Sequence, residues 1–252
     1  MNIAIKNMMT EPNLRETHCR DCALHLICLP PSVQESELPQ LDAIIERGQP
    51  LPRYGTLYSQ GQQFNQLFAV RAGAIKTTVI LDSGIEQVTG FYLPGEIIGL
   101  ESIGSKNYVN NAYAIETTSI CAIPFQDLNA LGRIIPSLQD HILGLMSNEI
   151  RQGHQVMVAM GKLSAQARVA MFLLSISARY KRRRLSSDHF HMPMSKSDIG
   201  NYLGLTLETV CRIFTQFQNK SMIEINGKDI RIIDRSGLCG MMEPISEPKA
   251  AS

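Results

Sequence analysis

Between Ser195 and Arg235 the sequence commits itself to two short helices and a tight hairpin, and few folds accept that order. Ser195-Lys196-Ser197-Asp198 resembles a capping box, with Asp in the place usually held by Glu or Gln. It opens a helix with Ile199 and Leu203 on one face. Gly204-Leu205 marks a turn, and Thr206 caps a second helix whose core face is Val210, Ile213, Phe214 and Phe217. Ile223 to Ile233 reads as a hairpin around Asn226-Gly227, a strong two-residue turn signal. Two helices followed by a hairpin make a winged helix-turn-helix.

The second of these helices leaves Glu208, Cys211, Arg212, Thr215 and Gln216 opposite its core face. Near a helix N-terminus such side chains reach base edges in the major groove, where Glu accepts from cytosine N4 and Arg forks onto guanine O6 and N7. The plainer reading is a surface ion pair between Glu208 and Arg212, four residues apart. Their place on a capped second helix, after a glycine turn and before a hairpin, favours double-stranded DNA as the partner.

A second constellation lies near the N-terminus, where Cys19, Cys22 and Cys28 fall within ten residues. Two residues between thiols let one tight loop aim both sulfurs at one centre, and the wider gap to Cys28 lets the chain wrap that centre before supplying a third. The spacing reads as a metal or iron–sulfur site. A fourth ligand must come from elsewhere, and Cys121, Cys211 and Cys239 are the candidates. A net charge of +1 neither favours nor excludes nucleic acid, because a local basic face hides in a balanced total. No apolar run reaches transmembrane length and no signal-peptide segment stands at the N-terminus, so a cytoplasmic protein without a membrane partner is expected. In that compartment six cysteines read as ligands or free thiols rather than a disulfide framework.

The rest of the chain divides by texture into an α+β protein. Residues 1–30 carry the cysteines, and poor order is expected over 1–18. Within 31–135, SELPQLDAIIER (36–47) has helical spacing. From Pro50 to Ile123 short apolar runs are then split by Gly, Asn, Asp and Pro, as in a β-roll or sandwich. Over 136–161 a long helix begins at Pro136, and Leu143, Met146, Ile150, Gly153, Met157 and Met160 recur in steps of three and four. That seam reads as a homodimer interface. A second stripe of Ile142, Leu145 and Val156 faces the strand domain. Residues 162–236 hold another helix, about 164–180, and the winged helix-turn-helix. Residues 237–252 read as a flexible tail. The run Lys181-Arg182-Arg183-Arg184 suits a solvated helix C-terminus.

These features together resemble the FNR subgroup of the CRP/FNR family of bacterial transcription regulators. The resemblance runs from about Thr17 to Ile233 and is carried by HCRDC…C, IIERGQPL, GTLYSQGQ, FAVRAGAIKT, EQVTGFYLPGEIIG, AIETTSICAIPF and above all DIGNYLGLTLETVCR. It implies a cyclic-nucleotide-binding-type β-roll, a long dimerisation helix and a C-terminal DNA-binding domain. It further implies an oxygen-labile [4Fe–4S] cluster held by Cys19, Cys22, Cys28 and Cys121, with Glu208, Cys211 and Arg212 reading an inverted-repeat site, and a surface for RNA polymerase. No enzymatic activity is implied. The turn Asp82-Ser83-Gly84-Ile85-Glu86 is the candidate polymerase contact, and an ordinary hairpin turn is its plain alternative.

The chain departs from the family at two positions. Cys211 stands where Ser is usual, and a thiol is the poorer hydrogen-bond partner. Gly153 stands on the seam where such regulators can carry an acidic residue. A cyclic nucleotide is not expected: Gly95-Glu96 is present, but Tyr108-Val109-Asn110-Asn111-Ala112 holds no Arg for the phosphate. The rivals are a zinc-stabilised regulator that does not sense oxygen, a nucleotide-gated regulator, and an electron carrier or enzyme.

Overall fold

The computed structural model describes residues 18–28 and 33–242, so the expectations for residues 1–17 and for the chain past Met242 lie outside the described residues. A 3-10 turn at Cys19–Asp21 leads into α1 (His25–Cys28) and α2 (Leu38–Ala43). The strands that follow are β1 (Glu46–Arg47), β2 (Thr56–Tyr58), β3 (Gln66–Ala72), β4 (Ile75–Ile80), β5 (Glu86–Tyr92), β6 (Ile97–Ile98), β7 (Asn111–Ala114) and β8 (Ser119–Pro124). They form two antiparallel sheets, ordered β1-β8-β3-β6 and β2-β7-β4-β5. Between the sheets lie Tyr58, Phe68, Val70, Ile75, Ile98 and Tyr108, with the Tyr58 and Tyr108 rings stacked at 3.9 Å between centroids. This is the expected roll.

The helix anticipated over 36–47 is shorter than its periodicity suggests. α2 ends at Ala43, and Glu46–Arg47 extend to pair with β8, placing Arg47 opposite Cys121. The open edge of β8 offers backbone partners that continued helix would forgo, and tertiary pairing overrides local spacing. The roll closes with α3 (Phe125–Ile134), whose Leu128 and Leu131 pack with Leu41, Leu67, Leu100 and Leu138.

α4 (Pro136–Lys162) starts at its proline and runs as a single helix. Then come α5 (Ala165–Arg182), β9 (His189–His191), α6 (Lys196–Leu203), α7 (Leu207–Asn219), β10 (Ile223–Asn226), β11 (Asp229–Ile232) and α8 (Arg235–Gly240). Ser195 accepts from the Asp198 N–H as a cap, and the box is completed by the Asp198 carboxylate, to which the Ser195 backbone amide donates. The carboxylate also accepts from the Ser195 hydroxyl at 2.6 Å and from Lys76 of β4 at 2.8 Å. The turn after α6 needs glycine twice. Gly204 has φ +63°, and a Cβ on Gly200 would lie 2.7 Å from the Leu205 carbonyl oxygen.

The hairpin closes one residue later than the Asn-Gly signal suggests. Asn226 pairs with Asp229 across the two-residue turn Gly227-Lys228, with Gly227 at φ +60°. β9 adds a third strand to this wing, in the order β10-β11-β9.

The flexible tail expected from Gly237 is corrected over 237–242. Asp234 caps α8 by accepting from the Gly237 N–H at 2.8 Å, and Leu238 is buried in the DNA-binding core. One apolar side chain with somewhere to pack outweighs a local composition of Gly, Cys and Met.

Candidate cysteine centre and nucleic-acid interface

Cys19, Cys22, Cys28 and Cys121 line one pocket. Its other walls are apolar, including Leu24, Leu41, Ile97 and Leu100, with Arg71 and His141 as the charged or titratable exceptions. Cys121 arrives from β8 in the middle of the first sheet, opposite Ala69 of β3 and Arg47 of β1. The other three arrive from the 3-10 turn and loop ahead of α1, and from the end of α1.

A strap holds that loop on the roll, and the sequence carries no separate signal for it. Asp42 of α2 accepts from the Cys19 amide at 2.8 Å and from His18, and pairs with Arg47. Arg47 also points a guanidinium N–H at the Cys19 sulfur, 3.4 Å away. Burial alone would raise the Asp42 pKa, but the bonds from His18, Cys19 and Arg47 outweigh it and hold the carboxyl below its usual range. The same bond to Asp42 raises the pKa of His18.

The thiols themselves are pushed the other way. Burial, reinforced by the other cysteines of the pocket, lifts Cys28 to about 12, and burial with the Asp42 contact lifts Cys19 to about 12. Burial also raises Cys121, against the nearby charges of Arg47 and Arg71. In the metal-free protein, Cys28 is therefore expected to alkylate at pH 8 about a hundredfold or more slowly than an unstructured peptide thiol. Its rate should climb tenfold per pH unit up to about 12. Peptide mass spectrometry after timed iodoacetamide pulses measures this, and a plateau near pH 9 would contradict it.

Burial that discourages ionisation of Cys19, Cys28 and Cys121 suits a cationic iron or zinc centre, which would supply the missing compensation. Among the described residues, however, no three His, Cys, Asp or Glu side chains converge as they would on a metal ion. The sulfurs surround a pocket rather than meet at a point. Four thiols around one pocket are a donor set that an iron–sulfur cluster or a zinc ion would both accept.

The far wall of the pocket is α4, through Leu138, His141, Ile142 and Leu145. His141 also hydrogen-bonds the backbone of Cys28. On the outer face of the same helix Leu143, Ile150 and Met157 are 57%, 59% and 64% exposed, and Met160 is exposed too. Gly153 has open space where a Cβ would stand. Met146, placed on the seam by its spacing, instead packs inward with Ile142 and Leu145 against the roll and α3. The thioether reaches sideways from the border of the two stripes, and the roll offers the nearer apolar surface.

The DNA-facing candidates sit on α7. Thr206 caps it by accepting from the Thr209 N–H at 3.2 Å, and Val210, Ile213, Phe214 and Phe217 are buried. Glu208 and Arg212 are exposed, and among the described residues neither side chain forms a hydrogen bond or ion pair, so the plain surface-pair reading is not realised. Cys211 is half-buried beside them, and its carbonyl accepts from the Thr215 hydroxyl at 3.1 Å. Gln216 does not join this face: its side-chain oxygen accepts from Gln166 of α5 at 2.8 Å.

Two family descriptions match this architecture: a cyclic nucleotide-binding domain over residues 49–133 and a Crp-like helix-turn-helix domain over 167–241. The transcriptional activator protein FnrA of Stutzerimonas stutzeri is 45% identical over 90% of this chain and 93% of its own length. The chain belongs to the CRP/FNR family, as an FNR-type regulator. The Fumarate and nitrate reduction regulatory protein of Salmonella typhimurium is 39% identical to this FNR-type chain over 89% of it and 90% of its own length. The solved structure of FixK2 from Bradyrhizobium japonicum superimposes with a TM-score of 0.73 at 27% identity, covering 81% of this chain and 100% of that one. The FNR-type chain is thus a DNA-binding transcription regulator and not an enzyme. Among the described residues no helix is long and apolar enough to cross a membrane.

Proposed function

We propose that this protein is an oxygen-responsive global transcription regulator of anaerobic metabolism in the cytoplasm. Its relatives include a protein named Anaerobic regulatory protein in Haemophilus influenzae, 41% identical over 88% of this chain. In this reading Cys19, Cys22, Cys28 and Cys121 hold a [4Fe–4S] cluster. The observation that carries it is the shared wall: the thiol pocket is closed by the inner face of α4, while the outer face of α4 carries unburied Leu143, Ile150 and Met157.

When bound, the cluster would supply an oxygen-labile tie between the short Cys19–Cys28 segment and Cys121 of β8, far along the chain. The chain's own residues do the rest. The Asp42–Arg47 strap and the four cysteines seat the 19–28 segment against β8 and α4. His141, Ile142 and Leu145 transmit that seat to α4, whose outer stripe pairs with a second copy. The dimer presents two α7 helices to an inverted-repeat site. Without the tie the 19–28 segment loosens, α4 loses its inner support, and the equilibrium shifts toward a weakly binding monomer. The turn Asp82-Ser83-Gly84-Ile85-Glu86 between β4 and β5 is the proposed RNA polymerase contact, with Ile85 exposed on it and Leu81 exposed just ahead of it.

The roll works here without a cyclic nucleotide. Glu96 is engaged within the protein: its two oxygens accept from Arg179 of α5, at 2.7 Å from Nε, and from the Leu93 N–H at 2.8 Å. Tyr58, Tyr92 and Tyr108 fill the interior between the sheets.

Anaerobic purification with an absorption spectrum and counts of iron and sulfide tests the proposal. A brown dimeric protein that bleaches and dissociates in air supports it. A colourless protein containing zinc, indifferent to air, refutes it in favour of the zinc-stabilised alternative.

DNA reading has its own test. Arg212→Ala is expected to cost about 1–3 kcal/mol per half-site and relax preference at one base pair. Glu208→Ala should relax a neighbouring pair with less loss, because it removes a negative charge near phosphates. Cys211→Ser should leave affinity nearly unchanged and sharpen base preference. Anaerobic titrations at fixed salt against specific and random duplexes decide, and equal loss on both for Arg212→Ala would make it a phosphate contact.

A further inference from the structure

β5 is an edge strand: it pairs with β4 on one side only. On its open side stands Asn201 of α6, the first helix of the helix-turn-helix. The Asn201 side-chain Nδ2 donates to the Glu86 carbonyl at 2.8 Å, and its Oδ1 accepts from the Val88 N–H at 2.5 Å. These are the carbonyl of one residue and the amide of the residue two further on. A neighbouring backbone residue in a parallel ladder would engage the same two groups. One side-chain amide therefore takes the place of a missing strand and covers the edge. The Gln87 side chain adds a third bond, from Nε2 to the Asn201 backbone carbonyl at 2.7 Å.

Other contacts join the two domains but fix direction less well. Phe91 of β5 meets Phe172 of α5 and Tyr202 of α6 edge-on, and Lys76 pairs with Asp198 at 2.8 Å. Arg179 of α5 adds a forked link to Glu96 and the Phe91 carbonyl, but at α5 rather than at α6. Apolar packing tolerates small rotations, and the Lys76–Asp198 pair, the one ion pair at α6 itself, hangs on a long side chain that tolerates more. Two opposed amide bonds to a rigid strand do not. α7 follows α6 after only Gly204-Leu205-Thr206 and shares its core through Ile199, Leu203 and Val210. The seat of α6 therefore sets the direction of α7.

We propose that Asn201 is a positioning residue for DNA recognition: its amide registers the helix-turn-helix on the edge of β5, so that two copies hold their α7 helices at the spacing of an inverted repeat. This rests on the dimeric reading above. Asn201 faces β5 rather than the recognition face, so a single half-site does not depend on it, whereas simultaneous engagement of two half-sites does.

The test uses the full-length protein, purified anaerobically, on three duplexes. One is an inverted repeat selected by the wild-type protein from random DNA. The second has one half scrambled, and the third has two base pairs inserted at its centre. Asn201→Ala should lower the ratio of full-site to half-site affinity by about tenfold and narrow the penalty for the inserted spacer. Gln87→Ala, which leaves the helix-turn-helix untouched, should move both readouts the same way by about threefold. Unchanged ratios in both variants, or equal loss on full and half sites, would overturn the proposal. A wild-type protein that binds full and half sites equally would instead defeat the dimeric reading, and this inference with it.

Discussion

Cys121→Ser is expected to leave the fold intact and abolish the sensory state. The substitution is nearly isosteric on a half-buried strand position, so the metal-free variant should melt with the metal-free wild type. The ligand set, however, loses the thiol that comes from the roll. The other three belong to one short segment and can hold a centre without touching β8, so Cys121 is what ties the segment to the sheet. Anaerobically purified Cys121→Ser should carry little iron or sulfide. Its affinity for a specific site should fall to the non-specific level, a loss of about a thousandfold or more. Cys239→Ser, at an exposed position of α8, should match wild type. A full iron count and full DNA affinity in Cys121→Ser would remove this residue from the ligand set.

What was readable in the sequence divides along local and distant causes. The helix-turn-helix was legible because its signals are caps and turns within a few residues: Ser195, Gly204 and Thr206 each act where they stand. The exposed heptad positions Leu143, Ile150 and Met157 were legible because unburied apolar residues at a fixed period have few other readings. Met146 was misplaced because period alone does not say which of two surfaces a border residue meets. The strand at Glu46–Arg47 and the strap from Asp42 to Arg47 were invisible, since both depend on β8, more than seventy residues away. Arg179 likewise reads as one more basic residue near a helix end until the fold sets it beside Glu96. The cysteine spacing pointed to a shared site, but the α4 wall of the pocket these thiols line followed only from tertiary structure.

Ile150→Glu is expected to leave a monomer even with the cysteine centre intact. Ile150 stands mid-way along the outer stripe of α4, flanked one heptad away on either side by Leu143 and Met157, and makes no contribution to the roll's own cores. Its removal should therefore cost the folded monomer little. Across a two-fold axis each copy meets its twin, so the substitution acts twice. Burial of an isoleucine contributes about 1.5–3 kcal/mol, and losing it from both copies weakens association by at least about a hundredfold. Two facing carboxylates in a desolvated seam add repulsion beyond that. A dimer of micromolar affinity thus becomes undetectable at micromolar concentration. Ile150→Leu should retain it, because β-branched and γ-branched apolar side chains of equal volume both fill a seam position. Anaerobic sedimentation with iron counts on the same sample separates the two requirements. A variant with full iron content that sediments as a monomer places the association step on α4, downstream of the thiols. A dimer at that concentration would refute the seam, and with it the inner-to-outer coupling of α4 on which the sensing mechanism depends.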